Sequence, residues 1–77
     1  EARNVEDHER MLRYTQLVVI LEPNSASDRF YRAVLAYQTQ RYSLAKEDLA
    51  WLQNHDLDGL PRRAVDDLSR AVEQAAP

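Results

Sequence analysis

One glycine and three prolines are all the backbone punctuation this chain carries. Residues that free or lock the backbone mark turns, and apart from the final Pro77 they fall in two places, Pro23-Asn24-Ser25 and Asp56 to Pro61. Between them the apolar residues recur at helical spacing and never alternate as a strand would. Asp58-Gly59 does not read as a hairpin turn, because helical patterns flank it. The expectation is an all-α chain of four helices in a single domain spanning 1–77.

The first helix is predicted over Val5–Leu21, with Asn4 as N-cap and Glu6, Asp7 and Glu9 favouring the positive end of its dipole. Met11, Thr15, Val18 and Leu21 line one face, and Leu12, Leu17, Val19 and Ile20 widen it. The C-terminal half is therefore apolar almost all round, a pattern expected of a helix buried on more than one side. Pro23 ends it. The second helix is predicted over Asp28–Thr39 with Ser27 as cap, and carries Phe30, Ala33, Val34 and Tyr37 on one face. Ser43 is expected to cap the third, which runs to Asn54 with Ala45, Leu49 and Leu52 in its stripe. Pro61 opens the fourth, where its missing N–H costs nothing. Leu60, Ala64, Val65, Leu68, Ala71, Val72 and Ala75 face inward there, opposite a charged side with Arg63/Asp67 and Asp66/Arg70 at i,i+4.

Comparing the sequence with itself sharpens this picture. At an offset of 34 residues the end of the first helix falls on the end of the third: Met11 on Ala45, Thr15 on Leu49, Val18 on Leu52. That period is the length of a helix–turn–helix repeat. The segment Arg41-Tyr42-Ser43-Leu44-Ala45-Lys46-Glu47-Asp48-Leu49 resembles the turn and second helix of a tetratricopeptide repeat (TPR). Ala33 and Ala45 take the small positions where paired helices approach, and Tyr42 the aromatic position at the turn. Arg29, Ala36 and Leu57 depart from the family pattern, standing where it has a large apolar residue, Tyr and Pro. The chain divides into a half repeat (4–25), a full repeat (26–59) and a capping helix (60–76). Asp67 falls where Ala33 sits, so the outer side of the last helix is expected to face water. From about Leu12 to Leu68 the pattern is also similar to the helical tail of bacterial SirB-type transglutaminase-like proteins. That likeness implies a bacterial, cytoplasmic protein, and a chain starting at Glu1 without Met is expected to be a piece of a longer one. None of that family's catalytic residues can be carried over, since there is no cysteine.

The candidate chemistry is thin. His8 and His55 are the only histidines, and the cluster His55, Asp56, Asp58 reads as a polar turn, since a metal usually needs three or four converging ligands. The acid pairs Glu6/Asp7, Glu47/Asp48 and Asp66/Asp67 diverge by about 100° around a helix and read as solvated surface. Arg29, Arg32 and Arg41 near Tyr31 and Tyr42 are the nearest approach to a nucleic-acid surface, but acids balance them and the net charge is −3. No apolar run nears the roughly 18 residues of a membrane span. No catalytic site, cofactor or metal is expected, and neither a nucleic acid nor a membrane as partner. What remains is protein contact, by the apolar face Phe30, Val34, Tyr37 of the second helix and by Trp51. The resemblance implies a non-catalytic interaction module, with the partner a preceding domain of the same protein, another polypeptide, or a second copy.

Overall fold

The computed structural model describes residues 2–57 and 59–76, with side chains from Glu6 onward. Four helices follow in chain order: α1 (Ala2–Leu21), α2 (Ala26–Gln38), α3 (Tyr42–Gln53) and α4 (Arg62–Ala75). They form a slab of 36 × 30 × 18 Å, the short dimension being two helix layers at about 8–10 Å spacing. α2 is the hub. It packs on α1, on α3 and on α4, and α3 also packs on α4. Among the described residues α1 packs on no helix but α2.

The α2–α3 hairpin closes because its contact positions are small. Ala33, Ala36 and Ala45 have no exposed surface, and Leu52, with none either, fills the space between the helices. Leu12, Leu35, Leu49, Leu57, Val65 and Val72 complete one core. Leu57, standing where the repeat pattern has proline, is buried as a plug under the α3–α4 connection.

The helix ends correct several expectations. α1 starts at Ala2, so Asn4 lies inside it rather than before it; the Asn4 side chain is outside the described residues. The cap of α2 is Ser25, not Ser27: its Oγ accepts from the Asp28 N–H at 3.4 Å. Ser25 reaches this position because Pro23 ends α1 two residues earlier. α3 starts at Tyr42, one residue before Ser43, and Arg41 precedes it without a side-chain cap.

The α2–α3 turn needs neither Gly nor Pro. Gln40 takes the left-handed conformation at φ 62°. The Arg41 N–H then donates to the Ala36 carbonyl (2.7 Å) and the Gln40 N–H to that of Tyr37 (3.2 Å). These two bonds are the Schellman closure of a helix C-terminus, usually made with glycine. Thr39 adds its hydroxyl to the Leu35 carbonyl at 2.9 Å. In the α3–α4 connection the left-handed residue is Gly59, at φ 91°. On α4 the expected i,i+4 pairs give way to Arg70–Asp67 at 3.5 Å, an i,i+3 pair one residue closer, while Asp66 accepts from Gln53 across the α3 interface at 3.4 Å.

Candidate interaction surface

Asp48 is the least expected residue of the site. Glu47/Asp48 reads as solvated surface in sequence, yet Asp48 has no exposure at all. One turn before Leu52 on α3, it points into α2. Arg32 holds it with both Nε and Nη2 at 2.6 Å, and Arg29 adds Nη1 at 3.4 Å. Donating to the Asp48 carboxylate raises the Arg32 pKa above its ordinary value. A carboxylate can be buried only when paired in this way. Two of the three arginines weighed as a basic surface, Arg29 and Arg32, are thus engaged by Asp48 at the α2–α3 contact, which removes them from any nucleic-acid footprint.

Arg29 does three things at once. Its Nε–H donates to the Pro23 carbonyl at 2.8 Å, fastening α2 to the preceding turn. Its guanidinium lies 4.5 Å from the centroid of the Trp51 ring, a cation–π contact. Trp51 stacks on His55 as well, with ring centroids 4.0 Å apart and planes 7° from parallel. The His55 Nδ1–H donates to the Trp51 carbonyl at 2.7 Å. Arg29 stands where the repeat pattern has a large apolar residue, and here α3 supplies an aromatic partner for it, Trp51.

The α2 residues expected to meet a partner lie on one face at half-burial. Phe30 and Tyr37 pack against the core, as Trp51 does from α3. Val34 is half-buried between them on the same face. Tyr37 meets Tyr42 across the turn with ring centroids 6.2 Å apart. What these four offer a partner is their outer edges.

The open apolar surface is elsewhere, on α1. Only one side of its apolar C-terminal half is covered: Leu12, Thr15 and Val19 are buried against α2, with the Thr15 hydroxyl donating to the Leu12 carbonyl at 2.8 Å. The expectation of burial on more than one side fails. Met11 is 39% exposed, Tyr14 63%, Leu17 61%, Ile20 72% and Leu21 80%. The all-round apolar pattern was the signal for this surface. From sequence alone it could not be told whether the second side was filled by this chain. Near its N-terminal end α1 is tied to the α2–α3 turn by Arg41, whose Nη2 donates to the carboxylate of Glu9. That bond holds the Glu9 carboxyl below its usual range.

A shallow groove of about 490 Å³ runs between α3 and α4, lined by Lys46, Leu49, Ala50, Gln53, Ser69, Val72 and Glu73. Its floor is apolar and its rim charged. No group of three or more His, Cys, Asp or Glu able to hold a metal occurs among the described residues; Asp58, one member of the turn cluster, lies outside them. Among the described residues no helix is long and apolar enough to cross a membrane.

A family model described as a tetratricopeptide repeat matches residues 2–66. No curated protein and no solved structure matches this sequence.

Proposed function

The chain belongs to the tetratricopeptide-repeat family, whose helical hairpins mediate protein–protein contact, and on that premise we propose that it docks a polypeptide on the outer flank of α1. The observation that carries this reading is the exposure of Met11, Tyr14, Leu17, Ile20 and Leu21 along one 20-residue helix. Monomers rarely leave large apolar patches open unless they bind something. Phe30, Val34, Tyr37 and Trp51 form a second, smaller contact edge. The role is structural and non-catalytic, and its setting is the cytoplasm, as the likeness to SirB-type tails implies.

A photo-activatable phenylalanine analogue placed at Leu17, Tyr37 or Asp67 in the full-length protein in its own cells tests this. Crosslinks to a protein from position 17, fewer from 37 and none from 67 are expected. Crosslinks absent from 17 overturn the reading. Links from 17 to a Cys/His-bearing domain of the same polypeptide would favour the alternative, a supporting domain of a transglutaminase- or protease-like protein.

A further inference from the structure

α1 carries two apolar seams. One is His8, Leu12, Thr15, Val19, set against α2. The other is Met11, Tyr14, Val18, Leu21, spaced 3-4-3 like the a and d positions of a heptad, with Leu17 beside it. In the 34-residue register Met11, Tyr14, Thr15 and Val18 correspond to Ala45, Asp48, Leu49 and Leu52. Those are the buried residues of α3, and Arg29 and Arg32 of α2 reach Asp48 among them. The open seam is therefore the counterpart of a surface that in this same molecule takes a helix. Tyr14 in place of Asp48 means that the occupant brings apolar side chains, where α2 brings Arg29 and Arg32.

Resting on the docking reading above, we infer that the occupant is α1 of a second copy, antiparallel across a two-fold axis. Three observations point there. First, the seam complements itself on reversal: Met11 falls opposite Leu21 of the second copy and Tyr14 opposite its Val18, so each layer joins unlike shapes. No charge interrupts it; Arg10, Arg13 and Glu22 are exposed at its borders. Second, α1 is not the inner wall of a tight hairpin like α2–α3. His8 corresponds to Tyr42, the first residue of α3, yet α1 already runs from Ala2, continuing as helix through the stretch matching the Thr39–Arg41 turn. Third, the opposite end is closed to head-to-tail stacking. Asp67 and Arg70 occupy the register positions of Ala33 and Ala36 and are 60% and 71% exposed. A helix laid there would have to bury both charges. One open apolar face and one closed polar face give a closed two-fold pair rather than a filament.

Sedimentation equilibrium from micromolar to near-millimolar concentration tests the pair. The mass is expected to rise from 9.0 kDa to twice that value. Tyr14→Asp and Leu17→Asp are expected to hold it at the single-chain mass with helix content unchanged by circular dichroism, while Arg70→Ala leaves association intact. The chain has no cysteine, so a single introduced thiol reports on one place. Leu17→Cys is expected to oxidise to a covalent dimer and Arg70→Cys to stay monomeric. A single-chain mass throughout overturns the second-copy assignment, as does a dimer indifferent to Tyr14→Asp and Leu17→Asp. The docking reading then stands or falls separately, on the crosslinks from position 17 to other polypeptides.

Discussion

The two end helices of this molecule are built on opposite plans. α4 turns Val65 and Val72 fully inward and charged residues outward, so its one seam is covered by α3 and α2. α1 has two seams and one neighbour. Both ends touch the hub α2, α4 resting on α3 as well, and their outer flanks carry opposite chemistry: Asp67 and Arg70 on one, Tyr14, Leu17 and Leu21 on the other. A repeat array ends where an outer helix face turns polar. By that criterion α4 has the face of a capping helix and α1 does not.

The comparison can be broken at the hub first. Asp48→Ala leaves Arg29 and Arg32 without their buried carboxylate and is expected to cost about 3 kcal/mol. Chemical denaturation followed by Trp51 fluorescence and by circular dichroism should show one shifted transition, both ends failing together. Two separate transitions would mean that the ends are not coupled through α2. Next comes the attachment of the capped end. Val65→Ala is expected to cost about 2 kcal/mol, from lost apolar burial and the cavity left behind, read as a lowered denaturant midpoint.

Smaller is the effect of Leu17→Asp on the folding of the single chain, within about 0.5 kcal/mol because the site is open. A larger loss measured at dilution would show that α1's flank is covered from within the chain. The smallest effect sharpens how α1 is anchored. Folding lowers the Glu9 pKa through the Arg41 hydrogen bond, with the charges of Arg41 and Arg13 acting the same way. A carboxyl so shifted adds stability above its unfolded pKa and loses it as pH falls through the folded value. Glu9→Gln is therefore expected to lower the thermal midpoint slightly at neutral pH. The gap to wild type should close as the pH drops below 4.5, the ordinary value for this group.

The open flank of α1 was half legible in the sequence. The apolar residues at Leu17, Ile20 and Leu21 were plain, but a period-3.6 pattern reports how wide an apolar stripe is and not how many neighbours cover it. The buried acid was not legible at all. Asp48 follows Glu47 and looks like its twin, and only the approach of two arginines from α2, 16 and 19 residues away in sequence, separates the solvated one from the buried one. The caps slipped by one or two residues because Ser25, Ser27 and Ser43 all suit the role chemically. Which serine serves is decided by where the preceding turn leaves the chain.

The sequence by itself determined the helices, their breaks at Pro23 and before Pro61, the 34-residue register, and the small residues Ala33 and Ala45 that let a hairpin close. These are local matters of backbone freedom, side-chain volume and spacing, which read the same in any fold. Only the tertiary structure decided that Arg29 and Arg32 pair with Asp48, that Trp51 meets both a guanidinium and an imidazole, and that α1 keeps one apolar side open. Pairing and burial depend on which distant surfaces meet, and no single stretch of chain contains that information.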